Sequence, residues 1–215
     1  WIQNFMQKLD RAFYQQPSVV HISQQLLGKY VCTQLPGGYT SGLIVETEAY
    51  CGASDKACHA HFNRFTNRTR IMFGPAGHAY VYLCYGIHSL FNIVTNVDGM
   101  ADAVLVRAIE PAEGLETMLQ RRNMQKADYR LTAGPGTMAQ AMGIGRQQNG
   151  ADLTGDSLWR EDRGIMVPAS QVVDSPRVGI DYAEGDALLP WRFRIKGNPW
   201  CSRAKATSEK KRKKR

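Results

Sequence analysis

The chain has 215 residues, 43% of them hydrophobic and 21% charged, enough to bury a sizeable core in a single domain. Its 27 lysines and arginines against 19 acidic residues give a formal charge of +8, which points to a polyanionic partner. No run of about 18 apolar residues occurs, which argues against a membrane-spanning helix. Five widely spread cysteines, Cys32, Cys51, Cys58, Cys84 and Cys201, fit reduced thiols in an intracellular compartment.

Trp1 at the first position reads as a fragment or a processed chain. Ser18 then caps a short helix with Val19, Ile22, Leu26 and Leu27 at helical spacing, stopped by Gly28. A strand through Tyr30, Val31 and Cys32, the Pro36-Gly37-Gly38 turn and a strand from Ser41 to Tyr50 make an antiparallel hairpin. Period-two alternation places Glu46, Glu48 and Tyr50 on one face, so a carboxylate stands about 7 Å from an aromatic ring at the strand's end. That pairs a proton acceptor with a flat stacking surface; a solvated strand end is the plain alternative.

Residues 51 to 70 show no periodicity but carry His59, His61, Arg64, Arg68 and Arg70 interleaved with Phe62, Phe65, Asn63 and Asn67, a content suited to phosphate contacts or to a solvated loop. Cys51, Cys58, His59 and His61 have the spacing C-x6-C-H-x-H, which fits no common zinc pattern, so no metal is expected. The strand around His78 to Tyr85 puts Tyr80 and Tyr82 on one face and leaves Tyr85, before Gly86, as an outward wedge at a turn. Asn92, an amide inside the apolar strand from Leu90 to Val94, must hold backbone or read a polar ligand. Arg107, inside the apolar run from Ala103 to Ile109, needs a carboxylate partner such as Glu48, in either a structural or a catalytic pair.

A helix is expected over 112–124, with Arg121, Arg122 and Lys126 complementing its dipole. Ala133-Gly134-Pro135-Gly136-Thr137 opens another helix but lacks the nucleotide-triphosphate loop pattern. Residues 145 to 175 read as loop, and 177–180 and 191–195 as closing strands, the second with alternating arginines. The basic run from Lys210 to Arg215 marks residues 207–215 as a disordered tail, serving equally as a nuclear address, an electrostatic arm or an expression remnant. Without those six cations the remainder is still about +2.

Taken in order over Leu9 to Ser202, the stretches VETEAY, the segment ending in His59, MFGPAGHAYVYLCYG, FNIV, VLVRAIEP with GLE, AGPG, RVGI and RIKGNPW resemble the alkyladenine (3-methyladenine) DNA glycosylase family. The resemblance implies one α+β domain over 1–206 with a curved, mostly antiparallel sheet, acting as a monomer on damaged double-stranded DNA, with no cofactor, wherever the genome is held. It implies that alkylated or deaminated purines, such as 3-methyladenine, 7-methylguanine, ethenoadenine and hypoxanthine, are flipped out and cut from their sugar. By position, Glu48 matches the general base, Arg107 and the carbonyl of Val178 the groups that help it hold water, and Tyr50, His59 and Tyr82 the rings that sandwich the base. Asn92 matches the residue that discriminates between purines, Tyr85 the side chain filling the gap in the duplex, and Arg64 and Arg68 basic residues near the DNA backbone. Thr137 stands where many members have lysine, a departure that bears on a phosphate contact and leaves the reaction centre intact. A module that binds flipped or single-stranded bases without cutting needs the same tyrosines and arginines but not Glu48 with Arg107. A metal-dependent hydrolase is the third alternative, and it requires bound zinc.

Overall fold

A computed structural model describes residues 6–206 of the chain; the basic tail expected over 207–215 lies outside the described residues. Among the described residues nine strands form one open sheet whose strand pairings are all antiparallel, with helices packed beside it, as the α+β reading requires. In chain order these are β1 (Gln7–Lys8), α1 (Arg11–Tyr14), α2 (Val19–Gln25), β2 (Tyr30–Leu35), β3 (Gly38–Tyr50), β4 (Ala79–Cys84), β5 (His88–Thr95), β6 (Asp102–Glu113), α3 (Leu115–Arg122), α4 (Pro135–Met142), β7 (Leu158–Asp162), β8 (Val172–Ser175) and β9 (Arg192–Ile195). The main path runs β1-β7-β2-β3-β6-β5-β4, while β9 pairs with both β3 and β8.

The local signals act as the sequence implies. Ser18 caps α2 by accepting from the His21 amide at 3.2 Å. Pro36 and Gly37 close the β2–β3 hairpin, with Gly37 at φ 98°, a backbone shape glycine adopts without steric cost.

The long β3 strand is central because it has neighbours on both sides along nearly its whole length. β6 pairs with it from Ser41 to Tyr50; on the other side β2 stops at Leu43, and β9 takes over opposite Glu46, Thr47 and Glu48. Both glutamates are therefore fully buried. Of the three register shifts between β3 and β6, the two on either side of Glu46 decide which side chains face which way. Ile44 pairs with Ile109 and Glu46 with Ala108, leaving Val45 as an extra residue; Thr47 pairs with Val106, leaving Arg107 as another. Each inserted residue flips the alternation. Ile44, Ala49, Val104, Val106 and Ile109 thus all join the main apolar core, and Glu46, Glu48, Leu105 and Arg107 are left for the opposite face. Thr47, on the core side, donates its hydroxyl to the Ser23 carbonyl of α2 at 2.8 Å.

The main core gathers α2, α4 and one face of the sheet around Ile22, Leu26, Phe91, Ile93, Met138 and Phe193. Each such side chain contributes about 1.5–3 kcal/mol on burial. A smaller cluster of Cys58, Ala60, Met72, Tyr80, Val94, Ala101 and Ala103 backs the opposite face.

Three expectations need correction. Residues 177–180 are not a strand: Arg177 folds inward, fully buried, and its neighbours form a loop. Residues 145–175 are not all loop, since β7 and β8 lie within them. Their strands are short and rich in charge, and Arg160 and Trp159 carry the pairing with β2 that no apolar alternation announces. The helix expected over 112–124 is Leu115–Arg122, because Pro111 and Glu113 still pair with β3. Gly114 makes the turn from β6 to α3 at φ 75°, where a Cβ would lie 2.2 Å from the Tyr39 carbonyl oxygen. Gly114→Ala is expected to lower stability by about 2 kcal/mol or more, read as a lower urea midpoint at unchanged slope.

Candidate active site

The site face of the sheet forms the floor of a cavity of about 670 Å³. Cross-strand neighbours supply a row: Glu48 on β3 pairs with Leu105 on β6, Leu105 with Asn92 on β5, and Asn92 with Tyr80 on β4. Tyr50 opposite Ala103 and Tyr82 opposite Leu90 lie one pleat to either side. The irregular segment after β3 adds His59 and Arg68, and the loop after β8 adds Val178.

Glu48 is fully buried, and both its oxygens have polar partners. Its Oε1 accepts from the Val178 amide at 2.9 Å and lies 3.5 Å from Nη1 of Arg107. Its Oε2 accepts from the Tyr50 hydroxyl at 2.7 Å, which leaves one lone pair of that oxygen open. Burial and the Glu48 charge hold the Tyr50 phenol well above its ordinary range, so it stays a donor. Arg107 stays charged: the two glutamates hold its proton against the cost of burial. The sequence names Glu48 as its natural partner; in the structure the shorter contact is to Glu46, whose Oε1 accepts from Arg107 Nε at 3.0 Å. Val178 touches Glu48 through its amide, where the resemblance implies a carbonyl facing water.

The aromatic wall is tied by its own hydrogen bonds. His59 Nδ1 lies 2.9 Å from the Tyr80 hydroxyl, and its ring packs edge-on to Tyr82 at 4.6 Å between centroids. Burial, followed by the Arg68 charge, lowers the His59 imidazole from 6.5 to about 4, so it is neutral near pH 7. Asn92 donates its amide to the Tyr80 carbonyl at 3.2 Å, which leaves its carbonyl oxygen for the cavity.

Tyr85, 90% exposed, stands in the three-residue loop between β4 and β5 at φ 51°, with Gly86 at φ 70°. A left-handed tyrosine costs roughly 1 kcal/mol, and an exposed ring recovers none of it by packing. Arg68 reaches over the cavity, its guanidinium 5.1 Å from the Tyr82 ring centroid and its Nη2 3.4 Å from His59 Nε2. Arg64 is exposed and outside the cavity lining. Thr137 lines the cavity beside Gly134, Pro135 and Gly136, and its hydroxyl donates back to the Gly134 carbonyl at 3.0 Å.

Cys51, Cys58, His59 and His61 do not converge: Cys58 Sγ faces the Ala101 carbonyl, His59 is held by Tyr80, and His61 stacks on Phe62. Among the described residues no group of three His, Cys, Asp or Glu side chains is placed to hold an ion.

Sequence reasoning missed the support behind Tyr50. Arg177 binds both oxygens of Asp55, at 2.5 and 2.8 Å, and the Ala49 carbonyl at 2.7 Å, with its guanidinium 4.7 Å from the Tyr50 ring. Asp55 lies in the irregular segment and Arg177 in the RVGI stretch, 122 positions apart, and only the arginine amid apolar residues hints at a partner.

A buried carboxylate thus lines an aromatic cavity of about 670 Å³ on the open sheet of one α+β domain. The methylpurine-DNA glycosylase (MPG) family profile matches residues 12–199, and the chain belongs to that family. It is thus a DNA glycosylase, an N-glycosyl hydrolase that handles alkylated bases in DNA. A relative from Alkaliphilus oremlandii, named "Putative 3-methyladenine DNA glycosylase", is 47% identical over 91% of this chain and 99% of its own length. Relatives of the same name from Methanocella arvoryzae (46%, covering 92% and 97%) and Chlorobaculum parvum (44%, covering 96% of each) are similar throughout. Among the described residues no helix is long and apolar enough to cross a membrane.

The His59 shift makes a prediction with a definite sign. The unfolded imidazole takes its proton near 6.5 and the folded one near 4, so between these values the unfolded state binds more protons. This contribution is complete above pH 6.5 and is lost as pH falls towards 4, by about 3 kcal/mol in total. Urea midpoints from pH 7.5 to 4 are expected to fall less steeply for His59→Gln than for the wild-type protein.

Proposed function

We infer that the protein is a monofunctional glycosylase that flips an alkylated or deaminated purine out of duplex DNA and hydrolyses its N-glycosidic bond with a water activated by Glu48. The observation that carries this reading is the setting of Glu48: a fully buried side chain among the cavity-lining residues, oriented by Val178, Tyr50 and Arg107, with one lone pair of Oε2 left without a hydrogen-bond partner. The bond breaks through an oxocarbenium-like state, which a fixed carboxylate stabilises while taking a proton from the attacking water. The carbonyl of Val178 is the proposed second holder of that water.

A base inside a duplex is out of reach of any carboxylate, so the nucleotide leaves the stack at a cost of a few kcal/mol. Tyr50, His59 and Tyr82 offset this by stacking, at about 1–3 kcal/mol per ring contact. Tyr85, exposed at its strained turn, fills the vacated space in the helix. A neutral His59 suits a purine that already carries positive charge, as 3-methyladenine and 7-methylguanine do, because no imidazolium repels it. Ethenoadenine and hypoxanthine are the neutral substrates of the same reading. Asn92 discriminates among purines through its free carbonyl oxygen, and Arg64 and Arg68 attract the phosphate backbone. Among the described residues lining the cavity there is no lysine, so the nucleophile is water and the strand is left uncut. The catalytic unit is a monomer spanning 1–206, with the 207–215 tail as an appended basic segment, acting wherever the genome is held.

Single-turnover base release from duplexes carrying one ethenoadenine, hypoxanthine or 3-methyladenine-type lesion, with EDTA present, tests the reaction. Glu48→Gln is expected to bind the lesion duplex normally and to cut at least about 10²-fold more slowly; wild-type rates for this variant would remove Glu48 from the chemistry. Tyr85→Ala is expected to weaken lesion-duplex affinity by about tenfold. Unchanged affinity would show that the ring does not enter the helix.

A further inference from the structure

Behind Glu48 lies a second buried carboxylate that the reaction itself does not use. Glu46, also fully buried, sits two residues earlier on β3 and accepts three hydrogen bonds. Its Oε1 takes Nε of Arg107 at 3.0 Å and Nε of Arg192 at 2.7 Å, and its Oε2 takes the Ser202 amide at 2.6 Å. Arg192 continues to the carbonyls of Ala204 at 2.9 Å and Ser202 at 3.2 Å. Two anions and two cations are thus shared between β3, β6, β9 and the segment after β9.

The distances differ in kind. Arg107 is hydrogen-bonded to Glu46, but its Nη1 stands 3.5 Å from Glu48, too far for a strong charge-assisted bond, which is about 2.7–2.9 Å. A free guanidinium beside a carboxylate tends to close into a two-pronged pair that occupies a lone pair on each oxygen. Because the guanidinium is planar, fixing Nε at Glu46 fixes the plane and aims Nη1 at Glu48 from one side. The β-bulge at Arg107 places its side chain between the two glutamates.

We propose that Glu46 is a positioning residue for the hydrolysis: it tethers Arg107 at ion-pair distance from Glu48, so that the guanidinium supports the carboxylate without covering the lone pair that receives the proton of water. The segment Ser202–Ala204, through Arg192, completes this tether. This inference rests on the reading of Glu48 as the base.

The test compares single-turnover base release with equilibrium affinity for the lesion duplex in wild type, Glu46→Gln, Arg192→Lys and Glu48→Gln. Glu46→Gln is expected to slow release by about tenfold while changing affinity by less than about twofold, since the cavity walls are untouched. Arg192→Lys, which keeps the charge but cannot reach both Glu46 and the two carbonyls, is expected to show the same split to a smaller degree. A purely structural role for Glu46 would lower rate and affinity together, and that result, or a wild-type rate in a folded Glu46→Gln, overturns the proposal. Should Glu46→Gln lack a cooperative unfolding transition, the rate-against-affinity split in Arg192→Lys decides by the same criterion. The Glu48→Gln arm separates the two readings: a wild-type rate there removes the base, whereas loss of cutting there with none in Glu46→Gln removes the tether alone.

Discussion

The structure depends on how charge is balanced inside the sheet. Glu46, Glu48, Arg107 and Arg192 are all buried where β3 is covered by β6 on one side and β9 on the other. An unpaired ion there would cost several kcal/mol, and breaking one buried pair typically costs about 3–5. Replacing such a group by apolar side chains is often neutral or stabilising, so burial of four charges is a poor way to gain stability alone. Their placement beside the cavity gives them another use: a carboxylate with fixed orientation, low solvent exposure and a supported negative charge. The Asp55–Arg177 pair repeats the device one layer away, where it ties the irregular segment to the loop that presents Val178.

The sheet's two faces explain how much could be read from sequence. The hairpin, the alternation of Glu46, Glu48 and Tyr50, the turn at Tyr85 and the need of Arg107 for a carboxylate are local or one-step inferences, and each appears in the fold. Glu46 as the nearer partner was hidden by the bulges at Val45 and Arg107, because an inserted residue leaves no mark on an apolar run. β7 and β8 were hidden by composition: strands of five and four residues with charged members owe their pairing to β2 and β9 and not to their own periodicity. The Asp55–Arg177 contact was out of reach for a different reason, since no local rule couples two loop residues 122 positions apart.

The site residues divide by the kind of backbone that carries them. Glu48, Tyr50, Tyr82, Asn92 and Arg107 stand on strands whose hydrogen-bonded neighbours fix them in place. His59, Arg64, Arg68, Tyr85 and Val178 stand on turns and irregular segments. Proton transfer tolerates little misplacement, so a reacting carboxylate gains from a strand in mid-sheet. Under the proposed function the loop side chains meet a duplex backbone and an opened base stack, surfaces of varying shape to which loops adapt at low cost.

Tyr85 in the second group is also strained. Phe62, Asn63 and Tyr85 take left-handed backbone conformations without being glycine, and Phe62 and Tyr85 are also among the most exposed large apolar side chains. Such positions cost roughly 1 kcal/mol each; Phe62 still stacks on His61, whereas the Tyr85 ring is 90% exposed. A chain optimised for stability would carry Asn-Gly in the β4–β5 loop, where this one has Tyr-Gly. Under the proposed function the ring at Tyr85 finds its compensation in the duplex, where a stacked base pair offers a flat apolar surface suited to a rigid aromatic side chain. The turn also holds that ring at the end of β4, the strand that carries Tyr80 and Tyr82, so the position of the ring relative to the cavity is set by the sheet.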